Sequence, residues 1–195
     1  MTTVDGMGYE FRTARHEDTE AIEALDGSFT THTVFHVALT ENGFALKEVP
    51  VDPPIHKVFP ADNTDSADGS DGSDALATEG DPNRRTFVAV HGDGTLAGFA
   101  AVSYASWNRR LAIEDIEIAP AHRGRGVGRA LIDHAVAFAR DSGAVHIWLE
   151  VTNINAPAIH AYRRMGFTFC GLDTTLYDGT ASSGEQALYM SMPCP

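Results

Sequence analysis

The chain has 195 residues, of which 43% are hydrophobic and 21% charged, so it can form one domain with a sizeable core and is not a disordered chain. The 27 acidic and 14 basic residues give a formal net charge of −13. This charge argues against a general nucleic-acid-binding protein, which needs a basic surface to displace counterions from phosphates. Met1–Glu20 is polar, and no apolar run approaches the ~20 residues of a membrane helix. We therefore expect a single cytoplasmic domain over residues 1–195.

Much of the negative charge is concentrated in one segment. The stretch from Ala61 to Asp81 holds seven acidic residues, no basic residue and a single large apolar one, Leu76. It cannot bury enough surface to offset the entropy of ordering, which predicts a solvated, flexible loop over residues 61–82. An acidic collar that attracts a cationic substrate is an alternative. A calcium site is disfavoured, because the aspartates recur every third residue rather than at alternate ones.

The first part of the chain is predicted to be mainly strand. A short helix capped by Asp18 or Thr19 is expected to run to about Leu25. The Asn-Gly pair in Glu41–Gly43 predicts the turn of a hairpin. Strands are predicted, in chain order, over Tyr9–Ala14, Val34–Thr40, Phe44–Val51, Thr86–His91, Leu96–Ser106 and Arg110–Ala119.

The second part is predicted to contain a βαβ unit followed by a helix and two strands. The helices are Gly126 to about Ser142 and Ala156–Met165, each followed by a glycine that ends it. The strands are His146–Val151, Thr168–Tyr177 and Ala187–Met192. The expected fold class is α+β, with a mostly antiparallel sheet.

A glycine-rich turn between a strand and a helix is the motif richest in chemistry. Its glycines allow close approach of a ligand to the backbone, and consecutive N–H groups at a helix N-terminus bind anions. The turn contains Gly124, Gly126 and Gly128 together with Arg123, Arg125 and Arg129. These features predict a phosphate-bearing ligand; the alternative is a tight turn with exposed arginines. Arg129-Ala130 after the glycines fits neither a Walker loop nor a dinucleotide fingerprint.

Two motifs together resemble the GNAT superfamily of N-acetyltransferases. Arg123, Gly126 and Gly128 fill the pattern Arg-x-x-Gly-x-Gly of its pyrophosphate loop, and Asn153–Phe167 looks like its Asn-x-x-Ala…Tyr…Gly-Phe helix. The resemblance implies a GNAT-type fold, with a mixed and mostly antiparallel central sheet flanked by helices. It also implies acetyl-CoA as cosubstrate and no metal.

Longer stretches are similar to the streptothricin (nourseothricin) N-acetyltransferases of that superfamily. They are Leu25–Thr31, Val51–Pro54, Lys57–Pro60, Trp148–Asn153 and Ala187–Pro195. This resemblance implies acetylation of the β-amino group of the β-lysine moiety of streptothricin, and hence antibiotic resistance. The partner would be a small cationic antibiotic, with no nucleic acid and no membrane, and a homodimer is possible. There are two alternatives. The enzyme could act on another cationic amine or peptide, or the protein could be a non-catalytic CoA-binding module.

The resemblance also implies roles for individual residues. Backbone groups of Ile116, Glu117 and Ile118 would contact the pantetheine, with the Ile118 N–H as the oxyanion donor. Asn155 would cap its helix and reach the same arm, and Tyr162 would donate a proton to the CoA sulfur. The pyrophosphate would be held by Arg123, Gly124, Arg125, Gly126, Val127, Gly128 and Arg129.

The candidates for the catalytic base are acidic residues of the predicted strands Arg110–Ala119 and His146–Val151. Glu114 is the first choice, on the resemblance and provided that a bulge brings it to the face of its neighbours. Asp115, Glu117 and Glu150 are the alternatives, and Asp115 and Glu150 are also expected to bind the cationic substrate.

Three other residues near the motifs are expected to have no catalytic role. His122 and His160 are expected to be surface or packing residues. Cys170, in an apolar strand, is expected to be a small core residue, which predicts direct transfer in a ternary complex rather than an acyl-enzyme.

Overall fold

The computed structural model describes residues 3–4, 8–59 and 81–195, with the backbone alone for 3–4. The predicted acidic loop 61–82 lies outside the described residues except for its last two. The described chain has ten strands, which are β1 Thr3–Val4, β2 Tyr9–Thr13, β3 Phe29–Thr40, β4 Gly43–Lys57, β5 Arg84–His91, β6 Leu96–Ala105, β7 Arg110–Ile118, β8 His146–Thr152, β9 Thr168–Asp173 and β10 Ala187–Pro193. The α-helices are α1 Thr19–Glu23, α2 Val127–Asp141 and α3 Ala156–Met165.

The chain divides into two compact units. The first contains Met1–Gly27, Phe59–Ile147 and Pro193–Pro195, and the second contains Ser28–Val58 and Trp148–Met192. No helix among the described residues is long and apolar enough to cross a membrane.

The first unit is an antiparallel sheet with the strand order β1-β2-β5-β6-β7. Ile22 of α1 packs on Val88 and Phe99 of this sheet. Phe87, next to Val88 in β5, instead contacts rings of α2, including that of Phe138 at 6.4 Å between centroids. Because neighbouring residues of a strand point to opposite faces, α1 and α2 cover opposite faces of the sheet.

The second unit is built around the β3–β4 hairpin, α3 and the strand order β8-β10-β9. A pair of hydrogen bonds joins the hairpin to the segment after β8: the Phe35 N–H donates to the Asn153 carbonyl oxygen at 2.8 Å, and Asn153 Nδ2 donates to the Phe35 oxygen at 3.0 Å. Ile159 and Tyr162 form the buried side of α3. The predicted bounds of α3 are confirmed.

Several predicted bounds differ from those observed. The hairpin is confirmed, but β3 and β4 extend well beyond the predicted ranges. The predicted strand from Thr168 stops at Asp173, because Asp173 Oδ1 accepts hydrogen bonds from the backbone of Thr175 and Leu176 and turns the chain.

Asp18 precedes α1 as predicted, but its side chain does not cap the helix. Its carboxylate binds Arg12 through two hydrogen bonds of 2.6 and 2.8 Å and accepts the Arg15 N–H at 2.7 Å. The hydrogen bonds from Arg12 lower the pKa of Asp18. The carboxylate therefore ties β2 to the start of α1.

Candidate active site

The predicted strand-turn-helix motif is present at the end of β7. A short 3-10 turn over Pro120–His122 follows the strand, and α2 begins at Val127. Gly124 and Gly126 have φ values of +73° and +84°, a conformation that residues with a Cβ rarely adopt. Arg123 Nε donates to the Ile118 carbonyl oxygen at 2.8 Å and closes the turn against the strand.

The turn is open enough for an anion to approach its backbone. No heavy atom lies within 4 Å of the position that a Cβ on Gly124 would occupy. The side chains of Arg123, Arg125 and Arg129 are exposed beside the first turn of α2. Exposed guanidinium groups and the N-terminal amides of a 15-residue helix are a donor set that fits a pyrophosphate.

Small residues bring the end of β7 close to its neighbours on the α2 side. The Ile118 side chain is 2.6 Å from where a Cβ on Gly98 would lie, and 3.6 Å from the corresponding position on Gly128. A larger residue at position 98 would displace the strand from which the turn starts. Gly98 therefore positions the turn, and Gly128 lets α2 begin directly against Ile118.

The predicted bulge in β7 is present at Glu114. Ala101 of β6 pairs with Asp115 and Val102 pairs with Ile113, so Glu114 is the extra residue without a directly opposite partner. Its side chain is partly exposed, and its Oε2 accepts a hydrogen bond from Arg84 Nη2 at 3.0 Å.

Beyond the bulge, Asp115 and Glu117 point to the α1 face of the sheet. They pair directly with Ala101 and Phe99, which pack against Ile22 of α1, and opposite residues of an antiparallel pair share a face. The Glu117 carboxyl is half-buried against Gly27. Burial, and then the nearby charge of Asp115, raise the pKa of Glu117 to about 7.

His122 packs inside the first unit, as expected. The Tyr9 hydroxyl lies 2.9 Å from His122 Nδ1, and the rings of Tyr9 and His91 lie against the imidazole. Burial is the main cause that lowers the pKa of His122. The residue preceding Arg123 is therefore held by packing with β2 and β5.

The second unit carries the other predicted catalytic and cofactor residues. Asn155 Oδ1 accepts the Ala158 N–H at 3.2 Å, which confirms that Asn155 caps α3. Tyr162 is buried on α3, with its ring 5.8 Å from that of Phe167. His160 is a packing residue as expected, because its ring lies against Phe35.

Glu150 of β8 belongs to a polar cluster in the second unit. Its Oε1 accepts a hydrogen bond of 2.5 Å from the Tyr177 hydroxyl. Burial raises the pKa of Glu150, the hydrogen bond from Tyr177 opposes that rise, and the nearby charge of Glu185 adds to it. Glu185 forms an ion pair with Lys57 and accepts a hydrogen bond from the Thr152 hydroxyl at 2.6 Å. The cluster thus holds two neighbouring carboxylates and one lysine.

The expectation that Cys170 is a core residue is wrong, because its side chain is exposed. In the β9–β10 ladder Phe169 pairs with Met190 and Gly171 with Tyr189, so Cys170 is the extra residue at a bulge. The apolar run gave no indication of this irregularity.

Sequence reasoning missed the residues that place the acids. Gly27 and Lys57 fall only within longer stretches of resemblance, and the sequence predicts no role for Arg84 or Tyr177. Arg84 lies 30 positions from Glu114, and Tyr177 lies 27 positions from Glu150. No local pattern indicates such partners, because they meet only in the folded chain.

The strand-turn-helix motif and the fold are those of a known family of acyltransferases. The sequence model of the Acetyltransferase (GNAT) family matches residues 54–167. The chain therefore belongs to the GNAT family of acetyltransferases, with the α+β fold and the mostly antiparallel mixed sheet flanked by helices that the sequence predicts.

Particular relatives match over most or all of the chain. The chain is 67% identical to a streptothricin acetyltransferase of Streptomyces lavendulae over 100% of both chains, and 30% identical to one of Escherichia coli over 87% of this chain and 89% of the relative. The crystal structure of a nourseothricin acetyltransferase is 65% identical, with a TM-score of 0.85 over 96% of this chain and 99% of that one. An acetyltransferase of Bacillus anthracis assigned to the streptothricin class, solved with acetyl coenzyme A, is 25% identical with a TM-score of 0.76 over 97% and 99% of the two chains.

Proposed function

We propose that the protein transfers the acetyl group of acetyl-CoA to the β-amino group of the β-lysine moiety of streptothricin-type antibiotics and so confers resistance to them. The observation that carries the proposal is the 67% identity to a streptothricin acetyltransferase across both complete chains. A cytoplasmic location follows from the proposal, because the enzyme would meet acetyl-CoA there.

The glycine turn supports the donor side of this proposal. The amides at the start of α2 and the exposed Arg123, Arg125 and Arg129 would hold the pyrophosphate of CoA. Bound acetyl-CoA supplies the thioester whose acetyl group is transferred. We expect Asn155 to contact the pantetheine arm in addition to capping α3, and the backbone N–H of Ile118 to stabilise the oxyanion.

The acceptor side requires negative charge and a place for protons. Asp115 and Glu150 are proposed to bind the cationic substrate, since carboxylates pair with ammonium and guanidinium-like groups. Tyr162 is proposed to protonate the departing sulfur, as in the family it resembles. Glu114 stays a prediction for the base, and its ion pair with Arg84 is also consistent with a positioning role. Direct transfer in a ternary complex stays a prediction as well.

The experiment that tests the proposal is a thiol-release assay with acetyl-CoA. Purified protein is incubated with streptothricin, spermidine, lysine or a basic peptide, and free CoA is measured. We expect kcat/KM for streptothricin to exceed that for each other amine by at least about tenfold, since an enzyme discriminates substrates by their kcat/KM values. Release with streptothricin no faster than without an amine would refute the proposal, and preference for the peptide would assign a different substrate class.

A further inference from the structure

The Glu117 carboxyl and the glycine turn lie on opposite faces of the end of β7. The Ile118 side chain contacts the start of α2, where the turn is proposed to hold the pyrophosphate. The next residue back, Glu117, points to the α1 face, opposite Phe99. A ligand held at the turn could extend along β7. Its reactive end would then lie close to β7, the strand that carries the Glu117 carboxyl on its α1 face.

The local backbone is shaped to admit the Glu117 carboxyl. A Cβ on Gly27 would lie 2.5 Å from Glu117 Cδ and Oε1, so a residue with a side chain at position 27 would collide with the carboxyl. Gly27 lacks the positive φ that would by itself require glycine. Space for Glu117 is therefore the reason that the structure offers for glycine at this position.

The charged groups that act on Glu117 favour a cation beside it. Asp115 and Asp26 add negative charge, and Arg123 is the positively charged group that acts on it. An ammonium ion would be attracted to this group of three carboxylates. Burial and Asp115 also give the carboxyl a proton affinity suited to neutral pH, which a general base needs.

We infer that Glu117 is the catalytic base of the acetyl transfer and accepts the proton that the acceptor ammonium loses. The inference rests on the proposed transfer of acetyl to an amine. The carboxylate takes one proton from nitrogen, and the freed lone pair forms the C–N bond with the thioester carbonyl carbon. The C–S bond then breaks, and the departing sulfur receives its proton from Tyr162. The second proton that the nitrogen loses restores the Tyr162 hydroxyl, and Glu117 releases its own proton to solvent. Glu117 thus has a side-chain role besides the backbone contact implied by the resemblance.

The test is the pH dependence of kcat/KM for Glu117→Gln at saturating acetyl-CoA, measured with whichever amine of the panel the wild type acetylates. We expect a loss of about 10²–10⁴-fold at pH 7, with little change in the KM for acetyl-CoA, and disappearance of the acidic limb of the profile. The deficit should narrow above pH 9, where free amine becomes available without a base. Glu23→Gln, which removes an exposed carboxylate from α1, is the matched control and should retain the wild-type profile.

A second variant keeps the test valid should Glu117→Gln fail to fold. Gly27→Ala forces the carboxyl outward into water, so we expect the acidic limb to move to lower pH and kcat to fall. An unchanged profile in either variant overturns the inference, as does loss of the limb in Glu114→Gln with its retention in Glu117→Gln.

The outcome also separates this inference from the proposed function. Turnover of spermidine but not of streptothricin would refute the proposed substrate and leave Glu117 as the base. Turnover of streptothricin with an intact limb in Glu117→Gln would leave the substrate and remove the base. No turnover of any amine would refute both.

Discussion

Replacing Glu117 by glutamine is expected to stabilise the folded protein, by an amount that grows as the pH rises. The glutamine side chain has nearly the shape of glutamic acid and carries no charge at any pH. In the wild type, burial and Asp115 oppose ionisation of the carboxyl, which the variant avoids. A catalytic group that destabilises its own protein is common at active sites, where function requires an unfavourable environment.

The magnitude follows from the pKa of Glu117, which is raised from 4.5 to about 7 in the folded state. The folded protein then binds the proton more tightly than the unfolded chain, so this group's contribution to stability is complete below pH 4.5 and is lost as the pH rises through 7. At ~1.4 kcal/mol per pKa unit the loss is about 3 kcal/mol, and partial exposure of the carboxyl reduces it to about 1–2 kcal/mol. In a protein of this size that corresponds to a Tm difference of about 2–8 °C.

The assay is urea unfolding of the wild type and of Glu117→Gln at pH 5 and at pH 8, with Glu23→Gln as the control. The free energy of unfolding of Glu117→Gln, relative to that of the wild type, should increase by about 1–2 kcal/mol between the two pH values. The control difference should stay constant, because Glu23 is exposed. A difference for Glu117→Gln that does not change with pH, or that decreases, would refute the reasoning about the burial of this carboxyl.

Three further outcomes concern other residues of the site. Gly126→Ala should raise the Kd for CoA, measured by calorimetry, by about 5–30-fold, because alanine at φ +84° costs about 1–2 kcal/mol in the turn; an unchanged Kd would separate the turn from CoA binding. Tyr162→Phe should lower kcat by at least about tenfold with little change in the KM for acetyl-CoA, and an unchanged kcat would exclude the acid role. Cys170→Ala should keep wild-type kcat, whereas loss of activity in a folded variant would support a covalent mechanism through an acyl-enzyme at Cys170.

The fold was largely predictable because local patterns determine most of its elements. Helix α3 is marked by Asn155 before it and Gly166 after it, and its bounds were predicted correctly. The turn before α2 was predicted from its glycines, since few other residues adopt that backbone. The end of β9 was missed, because a side chain of Asp173 rather than a glycine or proline turns the chain.

The arrangement of the acids was less predictable, because long-range contacts decide it. The sequence places Glu114, Asp115 and Glu117 within four positions, and alternation puts Asp115 and Glu117 on one face with Glu114 on the other unless a bulge intervenes. The bulge at Glu114 and the approach of Gly27 determine which carboxyl is enclosed. The same holds for Cys170 in β9. The apolar run predicts that it lies in the core, but a bulge exposes it.

The most direct test of the account is the identity of the product that the purified protein makes from acetyl-CoA and streptothricin. Mass spectrometry should detect the mass of one added acetyl group, and NMR should place it on the β-amino group of the β-lysine moiety. Streptothricin that stays unmodified after incubation with the protein and acetyl-CoA, or acetylation at another nitrogen, would contradict the account.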